Sequence, residues 1–259
     1  RLFAVTRAAL EDALDGVGPG SITPREVPFD AGDIAERVPG FEGFEAIAFS
    51  GDRAYLAIEG TEPSGRMAAY LVMADVQGDL AAVKLRDRRL IFVELPANLD
   101  NMSVESLVVA QDRVIALFEA NGANVNPRPQ AYTFDLDLQD AALVPFPTIE
   151  YRVTDATEAG PDGRFWVVNF YWPGEADLLR PAADWLAARY GEGSSHEVNE
   201  TVERLLPMQV KPDGIVAVDA PPVLLELIGD AIPRNWEGVV QLGDRGFVRT
   251  TPIQSAVFP

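Results

Sequence analysis

The chain contains no cysteine in 259 residues, which excludes disulfides and thiolate metal centres. It contains one histidine, His196, which leaves no basis for a multi-histidine metal site and little for histidine-based acid–base catalysis. Basic residues are scarce: 21 Lys and Arg stand against 40 Asp and Glu, a formal net charge of −19. So anionic a surface repels phosphate backbones, and nucleic-acid binding is not expected. No apolar run reaches the ~18–20 residues that a membrane-spanning helix needs, so no membrane span is expected. A Gly-rich phosphate loop, an HExxH pair and a GxSxG elbow are all missing. Any catalysis must therefore rest on carboxylates and a cation. The chain opens at Arg1 rather than Met, which reads as a processed form and sets the expectation of an extracytoplasmic location, periplasmic or secreted.

What the sequence does have is a repeat. Hydrophobic residues make up 47% of the chain, enough for a sizeable core. The stretches FEAIAFSGDRAYLAI, VESLVVAQDRVIALF and WEGVVQLGDRGFV each carry an acid and a small residue after their first residue. A short apolar strand, a turn and a second strand follow. DATEAGPDGRFWVV is a fourth copy, with Pro161-Asp162-Gly163 at its turn. The acids are Glu45, Glu105, Asp155 and Glu237, with Ala46, Ser106, Ala156 and Gly238 after them. Units of roughly 50 to 80 residues, each holding a few short strands, predict the blades of a β-propeller. The fold expected is all-β: a single domain over 1–259, a five-bladed β-propeller, with a six-bladed ring as the alternative. A β-sandwich with helical decoration accounts for the short strands but not for four acids in register. Leu2 to Thr6 reads as the second strand of a first blade, and Ile253 to Phe258 as a third strand of the last. Between the third and fourth copies, residues 174–206 carry apolar positions at helical spacing, which predicts a helical insertion.

A propeller explains why an acid begins a buried strand. The first strand of every blade lies along the central axis and all run the same way, so their first residues gather at one mouth. Like charges there repel by about 4 kcal/mol per pair at 4 Å and an effective dielectric of 20. The nearby bases, Arg53, Arg113, Arg164 and Arg245, fall in the hairpin turns at the far end of the strands. A hard cation bound by oxygens relieves the repulsion, and Ca²⁺ suits a mixed ring better than Mg²⁺. The alternative is that these acids accept backbone hydrogen bonds at blade junctions. Glu59, Glu119 and Asn169, each 14 residues after its acid, form an expected outer ring for substrate, with Arg7 as the first-blade equivalent. The insertion leaves from the same mouth and overhangs it. Trp172 beside it reads either as a ligand contact or as packing; His196, in GEGSSHEV, reads as an exposed loop residue.

The phrases FEAIAFSGDRAYLAIE, VTDATEAGPDGRFWVVNFYW, PPVLLEL and PRNWEGVVQLGDRGF resemble the bacterial esterase-like phytase domain family. The resemblance implies a propeller and a phosphoester or ester hydrolase. The acid-per-blade pattern is also similar to that of the calcium-activated nucleotidases, in which inner-strand Glu and Ser residues hold axial Ca²⁺. Glu45, Glu105 and Glu237 match the glutamate positions; Asp155, or nearby Thr157, matches a hydroxyl-bearing position less well. One departure is that Val248-Arg249-Thr250 runs almost at once into Thr251-Pro252, which leaves the fifth outer-ring position open. The expected partner is a small molecule or an ester or phosphoester substrate, and the chain is expected to be a monomer. The second class of function is a non-catalytic propeller with a structural cation that binds a small molecule or a protein.

Overall fold

The alternating apolar runs of each repeat fold as antiparallel meanders. The computed structural model describes residues 1–17, 21–227 and 233–251. After β1 (Leu2–Ala4), α1 (Arg7–Leu14), β2 (Arg25–Val27), β3 (Phe29–Asp30) and α2 (Ile34–Arg37), the first full sheet comprises β4 (Phe41–Ser50), β5 (Arg53–Thr61), β6 (Met67–Gln77) and β7 (Ala82–Val93). The second comprises β8 (Val104–Ala110), β9 (Arg113–Phe118), β10 (Gln130–Asp135) and β11 (Ala142–Pro145). In the third, β12 (Arg152–Ala156) and β13 (Arg164–Tyr171) are followed by the helices α3 (Ala176–Leu179) and α4 (Trp185–Tyr190), then by β14 (Val202–Lys211), β15 (Gly214–Ala217) and β16 (Val223–Leu224). The hairpin β17 (Gly238–Gln241) and β18 (Phe247–Thr250) follows. In every full sheet the strands pair in chain order, first with second, second with third. The first strands stand side by side: β4 beside β8, β8 beside β12, β12 beside β17.

The core shows why this is a propeller and not a sandwich. A sandwich has one layer of core between two sheets. Here there are separate apolar clusters, one between each successive pair of sheets. Tyr55 and Ala57 of β5 pack with Leu107, Val114 and Phe118 of the second sheet. The alternate residues of β9, Ile115 and Leu117, turn the other way, onto Val153, Phe165 and Met208 of the third. Val168, Phe170 and Leu205 then pack with Trp236 and Val239 at the last hairpin, and Ala54, Leu56 and Ile58 face Val27 and Ile34 of the N-terminal elements. Both faces of a middle strand are thus buried, so β6 and β9 read as continuous apolar runs rather than as a strict polar–apolar alternation. Each fully buried Leu, Ile or Phe in these layers contributes about 1.5–3 kcal/mol.

The turns follow their residues. Gly51 has φ +59° between β4 and β5, while Gln111 and Asp112, at φ +51° and +60°, form the two-residue connection of β8 and β9 that requires positive φ at both positions. The arginines beside these turns pair with acids there: Arg53 with Asp137 (2.8 Å), Arg113 with Asp140 (3.1 Å) and Arg245 with Asp15. The Arg245–Asp15 pair ties the last hairpin to the end of α1, 230 residues away in the chain.

Four expectations need correction. The N-terminal strand is shorter than expected: it covers Leu2–Ala4, without Val5 and Thr6, pairs with β2, and is followed by a helix from Arg7. Thr6 caps that helix by accepting the Ala9 amide, so Arg7 is its first helical residue and bonds to Glu11 on the surface; it also lies beside Gly243 in the last hairpin turn, far from the mouth. The third copy is displaced by one residue, as described below. His196 is buried, at 6% exposure, and not an exposed loop residue. The suggested strand at 253–258 lies outside the described residues. The insertion does leave from the return end of β13 and carries helices α3 and α4, although 202–206 already belongs to β14. No described helix is long and apolar enough to cross a membrane.

Candidate cation site

Two of the four acids, Glu45 and Glu105, owe their position to a β-bulge. Phe44 pairs with Ile58 and Ala46 with Ala57, so Glu45 is the extra residue; Val104 pairs with Phe118 and Ser106 with Leu117, so Glu105 is the extra residue of its strand. A bulge re-aims a side chain that would otherwise point into the packed layer. Gly43 makes room for the bulged acid: a Cβ there would lie 2.8 Å from Glu45 Oε1. In β12, Val153 pairs with Asn169 and Asp155 with Val168, so the bulged residue is Thr154. Asp155 takes the place of Ala46 and Ser106 and turns to the next blade, where its Oδ2 accepts the Val239 amide at 2.7 Å. Thr154 Oγ1 donates to the carbonyl of Trp236 (2.5 Å). Asp155 is thus a junction acid, the alternative role weighed for the whole ring.

Glu45 lies within reach of the charge of Glu237, and Glu105 within reach of that of Glu45. Burial raises the carboxyl of Glu45 above its usual range, and the charges of Glu237 and Glu42 add to it. Glu105 is raised well above that range by burial first, then by Glu119, Glu45 and Glu59. The outer ring is as crowded. Glu59, 4% exposed, is pushed up to about 8 by burial and by Glu45, Glu42 and Glu119. Glu119, wholly buried, is pushed up to about 7 by burial, although Arg152 opposes the shift. Glu237 keeps an exposed side chain held by Asn235; partial desolvation of its carboxyl raises it against the pull of Arg152 and Asn235. The position equivalent to Glu59 and Glu119 in the third sheet is Phe170, which pairs with Arg152. Asn169 lies one residue earlier and is fully engaged: its amide donates to the carbonyls of Glu150 and Arg152 (both 3.0 Å) and its oxygen accepts from Arg204. Trp172 is half exposed and packs over Gly174, where any Cβ would clash with its ring. Its carbonyl accepts the amide of Glu175 (3.0 Å).

Two elements of the cluster are not visible as site residues in the repeat. Arg152 bonds to Glu119 and to Glu175 (3.0 Å), the latter on the first turn of the insertion, and is the cation among these carboxylates. Ser103 and Ser106 are fully buried, and their hydroxyls have no partner among the described residues; the same holds for one carboxylate oxygen each of Glu59, Glu119 and Glu175. The signal for the serines was present as Ser-x-Glu-Ser around Glu105; for Arg152 there was none, since nothing in the sequence brings it beside Glu119. The donor set is entirely hard oxygen and suits Ca²⁺ or Mg²⁺ rather than a softer metal. Among the described residues no three Asp, Glu or His side chains are already drawn together to ligating distance.

No family model matches the chain, and no curated protein does. Among solved structures, it is similar to an α-L-arabinofuranosidase from Clostridium thermocellum (13% identity, 85% of this chain and 63% of that one, TM-score 0.43). Others are a Synechocystis apocarotenoid oxygenase mutant (12%, 77% and 43%, 0.38) and a glucose dehydrogenase (13%, 82% and 80%, 0.38). The chain spans less than two-thirds of the length of the first two. These likenesses concern the fold and carry no substrate across.

Proposed function

We propose that the mouth of a five-bladed ring binds Ca²⁺ through Glu45, Glu105 and Glu237, with Glu59, Glu119, Ser103 and Ser106 as further oxygens, and that the protein is an extracytoplasmic, monomeric hydrolase of a phosphoester or ester. The observation that carries the cation is the set of buried, partnerless oxygens on Glu59, Glu119 and the two serines beside bulged acids. Buried polar groups without partners are costly, and like-charged carboxylates in one place more so. Protons relieve the cost at low pH; an ion of opposite charge relieves it at neutral pH.

When bound, Ca²⁺ supplies a Lewis acid that polarises a substrate oxygen and lowers the pKa of a bound water. The chain's own groups divide the remaining tasks. Glu45 and Glu105 hold their place through the bulges, and Glu237 through Asn235. Arg152 keeps Glu119 in line, and the Glu59 carboxyl, pushed up to about 8 in the metal-free protein, gives up its proton as it takes the ion. The substrate class rests on the resemblance to esterase-like phytase domains. The raised carboxyls also favour a second reading, a non-catalytic propeller with a structural cation or shared protons.

The test is hydrolysis of a panel of phosphate monoesters and carboxylic esters in excess Ca²⁺ and in EDTA, alongside melting curves in both. Turnover that depends on Ca²⁺ and is lost in Glu105→Gln is the expected result. A Ca²⁺-dependent rise in melting temperature without turnover supports the structural reading; neither effect overturns the cation site.

A further inference from the structure

A second bulge interrupts β4 just before the one at Glu45. Phe41 pairs with Gly60 and Gly43 with Glu59, so Glu42 is the extra residue. A bulge re-aims its side chain, and that of Glu42 is exposed. Thr61 holds the carboxylate through a hydroxyl, which leaves its charge in place. The Glu42 carboxyl lies within hydrogen-bond reach of Glu59, and its charge reaches Glu45. Glu42 is thus the solvent-facing neighbour of a buried and a half-buried carboxylate of the candidate cation site. The sequence pattern does not single it out, because it precedes the repeated acid.

Cations at the mouth are outnumbered. Glu42 and Glu175 add to the five glutamates of the inner and outer rings, and among the described residues Arg152 is the cation that acts on them. Arg152 is already shared between Glu119 and Glu175. One Ca²⁺ offsets two of these charges, so the mouth stays anionic with the ion bound. A phosphate monoester is largely a dianion at neutral pH and is repelled there, whereas an uncharged carboxylic ester is not. We propose, as a refinement that rests on the hydrolase reading above, that this mouth selects carboxylic esters without negative charge and that Glu42 sets the selectivity at its entrance. The reaction fits such a field. The oxygen of water bonds to the acyl carbon, and the bond to the leaving oxygen breaks with its electron pair. One proton of the water goes to that leaving oxygen and the other to solvent. The product acid leaves as an anion, which the same carboxylates expel.

Substrates that share one leaving group read this selectivity. They are p-nitrophenyl hexanoate, which is uncharged, the p-nitrophenyl monoester of adipic acid, which is an anion, the p-nitrophenyl ester of a trimethylammonium hexanoate, which is a cation, and p-nitrophenyl phosphate. In excess Ca²⁺ the adipate ester is expected to have a kcat/KM roughly tenfold below that of the hexanoate ester. The cationic ester should match or exceed the hexanoate ester, and the phosphate should fall below the adipate ester. Salt should narrow the gap between hexanoate and adipate, because the Debye length falls from about 10 Å at 0.1 M to about 3 Å at 1 M. Glu42→Gln keeps an acceptor for Thr61 and removes the charge. It should raise kcat/KM for the adipate ester roughly threefold and leave the hexanoate ester unchanged. Adipate or phosphate turned over as fast as hexanoate, a gap that salt does not narrow, or the same gap in Glu42→Gln overturns the selectivity and leaves the hydrolase reading standing. No turnover of any of these substrates in Ca²⁺ overturns the hydrolase reading itself, and the selectivity with it.

Discussion

At the scale of single residues, similar carboxylates do different work because their surroundings differ. Glu105 is raised by burial and by its neighbours' charges, so Gln in its place copies the protonated form. In chelator Glu105→Gln is expected to be neutral or stabilising. In Ca²⁺ the same variant should lose most of the ion-dependent gain, which for the wild type is about 2.7 kcal/mol at a hundredfold excess over Kd. Melting curves in Ca²⁺ and EDTA read both signs. Asp155→Ala should behave in the opposite way. It strands the Val239 amide and costs about 1–3 kcal/mol, equally with and without Ca²⁺; a loss seen only in Ca²⁺ would restore Asp155 to the ion. Arg152→Met leaves buried Glu119 and partly buried Glu175 without their cation, and a destabilisation of about 3–5 kcal/mol is expected by urea titration.

At the scale of elements, the insertion is tied to the ring by a few polar contacts. Glu150 accepts the amides of Ala123 and Ala182 (both 3.0 Å), so one side chain pins the insertion to the second sheet's loop. Gly122 allows this approach, since a Cβ there would lie 2.7 Å from Glu150 Oε2. Asn124 adds a bond to the Arg180 carbonyl, and Trp185 one to that of Thr148. Glu150→Ala should therefore loosen 176–190 while leaving the sheets paired. Limited proteolysis should cut the variant first within the insertion; an unchanged cleavage pattern would show that packing alone holds it. The bulges work at this scale too: one extra residue in β4 and in β8 sends an acid out of a strand whose next residues must be buried.

For the whole molecule, the raised carboxyls set how stability depends on pH. Glu59, Glu119 and Asp155 hold their protons to about 8, 7 and 7 in the folded protein, well above the range of an unfolded chain. Between those limits the folded state binds more protons, so raising the pH favours unfolding. The contribution is complete below the unfolded pKa and is lost as pH rises through 7 and 8. The slope where one such group titrates is at most about 1.4 kcal/mol per pH unit, less where water screens it. Without divalent ions the melting temperature is expected to fall from pH 5 to pH 8. Excess Ca²⁺ should flatten that fall by replacing protons at the axial acids. A melting temperature that rises over this window in EDTA contradicts the protonated cluster.

The sequence by itself determined the layered architecture. Its repeated acid, small residue, strand, turn and strand copies locate the hairpins, because turn chemistry and β-branched runs act over a few neighbouring residues. It also put Glu45 and Glu105 in equivalent places, since they begin copies of equal length. Only the tertiary structure decided the third copy. Its longer hairpin loop hides where the extra residue falls, and whether Thr154 or Asp155 bulges depends on pairing with β13. The burial of His196, the reach of Arg152 to Glu119 and of Arg204 to Asp184, and the helix at Arg7 were likewise set by packing between segments far apart in the chain. A side chain's role there depends on which neighbours the fold brings to it, and local pattern carries no record of that.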